Sequence, residues 1–187
     1  MPELQSVAPH HLNWGYIIYR TIYSAESDTL FPEAIRYIEA SIKRDFLSDN
    51  CWPNTTAEEI RQTCAKYQST IIEDPILFSN ASFDTIRAHF ENWWRICMVI
   101  DEECLQTLKS ITAETLEKDD PEHSDSKVRY IKVIEAFPEI DRYDTFPGWM
   151  RCWTVALWDL WSNMEDGEPM RIQFNRIDES DKGIYCG

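Results

Sequence analysis

Glycine is scarce: five in 187 residues, too few to supply the loops that cradle phosphates. No GxGxxG, P-loop, GxSxG or HExxH pattern occurs, so nucleotide-dependent chemistry has no motif to stand on and no cofactor is expected. No CxxC is present, and no Cys/His spacing matches a zinc site. No apolar run approaches the roughly 18 residues of a membrane span. The first fifteen residues, MPELQSVAPHHLNWG, lack a basic n-region and an apolar h-region, which argues against secretion. Basic residues are outnumbered as well, 18 against 33 acidic, for a net charge of −15. Such a surface repels phosphate backbones and anionic bilayers, so neither nucleic acid nor membrane is an expected partner. It also opposes self-association at low salt.

Hydrophobic content of 43% in 187 residues is enough for one well-buried core, and a second domain is not expected. The expected organisation is a flexible arm over 1–12, a single domain over 13–176 and a loose tail over 177–187. The six cysteines lie partly within apolar periodic segments, where free thiols behave as small hydrophobes. A reducing, cytoplasmic setting follows as the expectation. The sequons at Asn54 and Asn80 then read as helix starts.

What the sequence has in abundance is tryptophan, eight in all. Four of them, Trp149, Trp153, Trp158 and Trp161, fall within Gly148–Met164. On a helical wheel Trp149, Trp153, Leu157, Leu160, Trp161 and Met164 share one stripe, with Trp158 off it. This predicts one helix lying on a β-sheet. Each fully buried indole would contribute at most about 4–6 kcal/mol.

Elsewhere the chain alternates strand and helix signals. WGYIIYRTIY at 14–23 reads as a central strand, and 30–47 as a helix with Pro32 in its first turn. Thr55-Thr56-Ala57-Glu58-Glu59 opens a second helix through overlapping capping boxes. Strands are expected at 69–73, 95–100 and 128–135, and a further edge strand at 170–174. In the 128–135 strand Tyr130, Lys132 and Ile134 face one way, and which face is buried stays open. Ser82 should cap a helix to Trp94, and Asp101 one over 102–110, with an acidic loop over 112–126. The fold class is therefore α+β, an open and mostly antiparallel sheet of four to five strands with helices on one face, related to the ferredoxin-like plan.

Three segments carry a resemblance: Trp14–Tyr23, Ala81–Trp93 and Tyr130–Ile134 followed by Gly148-Trp149-Met150. Their order resembles a widespread family of small uncharacterised proteins of filamentous ascomycete fungi, over about residues 13–164. That resemblance implies an intracellular fungal origin. It transfers no catalytic residue.

Arg20 interrupts an apolar strand and needs either a carboxylate, with Glu73, Asp74 and Glu135 in range, or an anionic ligand. Arg87 borders the apolar face of its helix and could join Arg20 on a carboxylate. A structural ion pair is the blander reading of both. His89, on the other border, is the best general-base candidate, although most boundary histidines have no such role. Tyr19 could supply a phenol, but sheet tyrosines are more often core. Trp149 and Trp153 are candidate walls of an aromatic pocket. Asp101-Glu102-Glu103 reads as capping rather than as a metal site, and His10-His11 lacks an identifiable third ligand. No metal is expected.

Two function classes stay open. The preferred one is a non-enzymatic interaction or regulatory module, with a protein partner or a homodimer, using Trp158 as an interaction residue. The other is a cofactor-free isomerase, cyclase or lyase, or a binding protein without turnover. It would take a small apolar metabolite in an aromatic-lined pocket anchored by Arg20, Tyr19 or His89.

Overall fold

A computed structural model describes residues 14–49, 55–89, 96–109, 129–138, 145–165 and 167–187. The expected arm, the acidic loop 112–126, His10-His11, Cys51 and the stretch 90–94 lie outside the described residues.

The chain begins with β1 (Ile17–Arg20) and the long helix α1 (Ala25–Ser48). The helix starts one turn and more before the expected Leu30. Ser24 caps the Ser27 amide, and the Ser27 hydroxyl returns to the Ser24 amide. This reciprocal pair works with serine at N3 in place of the usual Glu or Gln. Phe31, Ala34, Ile38, Ile42 and Phe46 form its buried stripe. In α2 (Ala57–Ala65) Thr56 is the residue that caps, with Glu59 completing the box.

β2 (Thr70–Ile72), α3 (Pro75–Phe78) and α4 (Phe83–His89) follow. After them come β3 (Ile96–Ile100), α5 (Glu102–Thr107) and β4 (Tyr130–Glu135). Asp101 caps α5 as the sequence predicts, accepting from the Cys104 amide at 3.0 Å.

The class is α+β, with six strands in the order β2-β1-β3-β4-β5-β6. The sheet is mixed: β1 runs parallel to both β2 and β3, while β4 runs antiparallel to its two neighbours β3 and β5. The parallel pairs follow from the helices inserted between β1, β2 and β3, since parallel neighbours need a long crossover.

Helices also cover both faces rather than one. β3 is apolar at all five positions and buried at all five, and such a strand must be covered on each side. Tyr16, Ile18, Met98, Ile131, Val133 and Cys152 face the larger core with α1, α5 and the helix after β5. Tyr19, Cys97, Val99 and Ile134 form a smaller core with Phe78 of α3 and Ile86 of α4.

The tryptophan-rich segment is not one helix. It is strand β5 (Trp149–Trp153), a 3₁₀ turn (Thr154–Ala156) and helix α6 (Leu157–Glu165). A spacing of four suits the strand period as well as the helical one, so from the sequence Trp149 and Trp153 fit either; in the structure Trp149 lies with the smaller core and Trp153, at the strand's end, with the larger. Pairing with β4, from Tyr130 opposite Trp153 to Ile134 opposite Trp149, decides for the strand.

Residues 170–174 are helical, not an edge strand: α7 (Met170–Asn175) buries Met170 and Gln173, one turn apart. The expected loose tail is instead anchored. Its strand β6 (Ile184–Tyr185) runs parallel to β5. The buried Tyr185 hydroxyl donates to Asp159 and also meets Gln173 and Asn163.

Candidate functional site

Arg20, at the end of β1, is buried and already held. Its guanidinium donates to Asp28, to Glu73 Oε1 at 2.9 Å, to Ser27 Oγ at 2.9 Å and to the Ile22 carbonyl at 2.8 Å. The rings of Tyr23 and Phe31 flank it at 4.9 and 4.8 Å. The ion pair with Glu73 was among the partners expected for it. Arg87 does not join Arg20. It donates to the carbonyls of Glu135 at 3.1 Å and Gly148 at 2.8 Å, tying α4 to the approach into β5.

Trp149 and Trp153 do not form one pocket wall. Trp149 packs on Phe83 at 4.9 Å beside the smaller core, whereas Trp153 is buried in the larger one. Trp158 is half-buried, and much of it is used within the chain. Its ring meets Phe46 at 4.8 Å and Trp14 at 5.8 Å, and Nε1 donates to Asp49 Oδ2 at 2.7 Å.

The structure does bring two candidates together. Tyr19 and His89, 70 residues apart, meet at 3.1 Å between the phenol oxygen and Nδ1. Phe78 packs edge-on against both rings. Burial, with the buried Cys97 thiol adding to it, pushes the Tyr19 phenol up to about 12, so it stays protonated at neutral pH.

A cluster that sequence reasoning missed spans β4, β5 and α5. The register sets Lys132 opposite Arg151, a like-charge pair that is unfavourable alone. Glu103 resolves it, accepting from Tyr130 at 2.5 Å, pairing with Lys132 at 2.6 Å and with Arg151 at 2.7 Å. Asp101 holds Lys132 as well. Trp149 lies 5.9 Å from the Lys132 ammonium and 6.0 Å from the Arg151 guanidinium.

Hydrogen bonds from Lys132 and Tyr130 draw the Glu103 carboxyl down to about 2. A depressed acid stabilises the fold above its unfolded value near 4.3, and that contribution is lost as pH falls toward 2. Glu103 is 41% exposed, so screening limits the effect to about 1 kcal/mol. Glu103→Gln should therefore lower stability by that amount at pH 7 and hardly at all at pH 2, as urea melts at the two pH values would show.

Thiol chemistry finds no activated group among the buried cysteines. Cys64, Cys97, Cys104 and Cys152 are buried and free, and burial raises each thiol above its ordinary value, Cys97 to about 12. Among the described residues no group of three His, Cys, Asp or Glu is placed to hold a metal ion. No described helix is long and apolar enough to cross a membrane.

An open groove of about 660 Å³ lies at the sheet's β2 margin, lined by Trp14, Gly15, Ile17 and Gln68–Ile71. Main-chain bonds build it. The Gln68 amide donates to the Trp14 carbonyl and the Thr70 amide to the Tyr16 carbonyl, both at 2.8 Å. Gly15, at φ +155°, lets the two chains approach: a Cβ there would sit 2.3 Å from the Gln68 carbonyl oxygen.

Alternation puts Gly15, Ile17 and Tyr19 on one face, so the Tyr19–His89 pair stands one step beyond the groove's Ile17. The same alternation turns the main-chain groups of Ser69 and Ile71 away from β1. The Ser69 amide is met by Glu39 Oε1 at 3.0 Å. Among the described residues β2 is an edge strand, bonded only to β1.

Comparisons with protein-family models, with curated proteins and with solved structures found no match.

Proposed function

We propose that this protein is a non-enzymatic interaction module whose recognition surface is the groove beside β2, along the margin that no other described strand covers. The observation that carries the reading is the margin itself: a short strand with the Ile71 main chain turned outward, the exposed Thr70 and a solvent-open groove. Exposed strand edges are ready templates for pairing with another chain. The other polar clusters support the reading by their self-sufficiency. Arg20 has its carboxylates, Lys132 and Arg151 have theirs, and the buried thiols are protonated. In this reading the module works in the cytoplasm, and its fungal affiliation rests on the resemblance of its three segments.

A photo-cross-linking residue placed at Thr70 tests the proposal against one at Glu58, exposed on α2. Protein adducts from position 70 and none from position 58 are expected. Equal labelling at both would overturn it.

The Tyr19–His89 hydrogen bond favours a second reading, a small apolar ligand held over Ile17 with the phenol and imidazole as acid and base. A bound mass from a metabolite extract in native mass spectrometry, lost in His89→Ala, would favour it.

A further inference from the structure

We infer that the β2 margin ends in an apolar knob, Ile76 with Leu77, that seats in an apolar, basic-rimmed pocket of a partner protein. The inference rests on the reading of that margin as the recognition surface and names the chemistry of its partner.

Beyond β2 the chain stays at the surface over 73–77. Ile76 is 98% exposed and its neighbour Leu77 46%. The fold roots this turn through Phe78, not through them: Phe78 is buried and packs on Tyr19, with ring centres 5.2 Å apart. The backbone that carries the knob is held at both ends. The Asp74 carboxylate accepts from the Ile76 amide at 2.9 Å and from the Leu77 amide at 3.0 Å. The Asp74 amide donates to the Tyr23 hydroxyl at 3.0 Å, and past the turn the Asn80 amide donates to the Thr21 carbonyl at 2.9 Å. Side chains presented on a fixed backbone lose little freedom on docking. An apolar anchor filling a pocket is also how a few residues come to dominate an interface. A partner of ordinary footprint, about 800 Å² a side, covers both Thr70 and the knob six residues on.

Charge chooses the partner. Asp28, Glu73 and Asp74 set three carboxylates against the one guanidinium of Arg20. Arg20 pairs with Asp28 and Glu73, yet its side chain is 9% exposed while theirs are 67% and 47%. The cation is therefore inside and the anions face out, with a negative excess. Every one of these groups keeps its present bonds, because the excess acts through space and needs no new contact. Lys or Arg around a partner's pocket is drawn toward the knob. A second copy, at −15 and with the same collar, is repelled, and so is an anionic bilayer.

The test places photo-cross-linking residues singly at Thr70 and at the exposed Ser79, just past the knob, in the full chain expressed in its source organism. Each is compared with and without Ile76→Ser plus Leu77→Ser. We expect both positions to trap one and the same protein. The paired substitution should cut both yields at least about tenfold, and salt of about 0.5 M should lower them as well. Ile76→Ser alone, at a position almost wholly in solvent, should lower the yields with an unchanged urea midpoint, which separates lost docking from lost folding. An adduct at 70 indifferent to these substitutions overturns the knob and leaves the groove reading standing. An adduct at 79 alone, abolished by them, supports the knob and removes the groove. No adduct at either position removes both. An adduct of twice the chain's mass, or a yield that rises with salt, overturns the basic-rimmed partner.

Discussion

Trp153→Ala is expected to destabilise the protein by roughly 3–5 kcal/mol, the largest single loss we anticipate. Trp153 is 2% exposed and belongs to the larger core. Its ring fills space between the sheet and the helical layer, and alanine would leave a void that the neighbours cannot fully close. The indole also carries a handicap, since its buried Nε1 has no hydrogen-bond partner among the described residues. Trp153→Phe removes that unsatisfied donor along with some volume, so it should lose distinctly less than the alanine variant. Urea melts decide this. The midpoint should fall with little change in slope for Trp153→Ala, and a loss below about 1 kcal/mol would mean that the ring is not core.

Gly15→Ala is expected to be nearly as damaging, by roughly 2–5 kcal/mol, through strain rather than a cavity. The added methyl would lie 2.3 Å from the Gln68 carbonyl oxygen and 2.7 Å from its carbon. Both are backbone atoms, so no side chain can swing aside. The φ of +155° adds a conformational cost that glycine escapes. Relief requires residues 14–16 to part from 67–70, which would break the Gln68 and Thr70 amide bonds and dismantle the groove. Loss of protection at the Thr70 amide, alongside the lowered midpoint, would identify that mechanism. An unchanged groove with normal stability would contradict it.

How far the sequence could be read follows from which signals are local. The Thr56–Glu59 box, the Asp101 cap and the apolar β1 and β3 are written in neighbouring residues, and each appears where its pattern puts it. The tryptophan segment misleads because its diagnostic pair, Trp149 and Trp153, is spaced by four, which suits both periods. Cross-strand pairing with β4 is a non-local contact and settles the matter. Met170–Phe174 is too short for periodicity to separate helix from strand. Its helix is fixed by Met170 and Gln173 entering the core together.

The same distinction governs the candidate site. His89 and Tyr19 could each be singled out by type and position, yet their 3.1 Å contact depends on how α4 crosses the sheet. The Lys132–Arg151 pair needed the β4–β5 register, which could be written down only once 149–153 was a strand. Gly15 left the faintest trace, since its role is to lack a side chain opposite Gln68.

The most direct test of the central claim is amide hydrogen exchange of β2 in dilute solution, where a single copy prevails. An open recognition edge predicts fast exchange at Ile71 beside slow exchange at Gln68 and Thr70, whose amides are bonded to the Trp14 and Tyr16 carbonyls. Strong protection at Ile71 in the isolated chain would mean that the edge is already covered and would contradict the account.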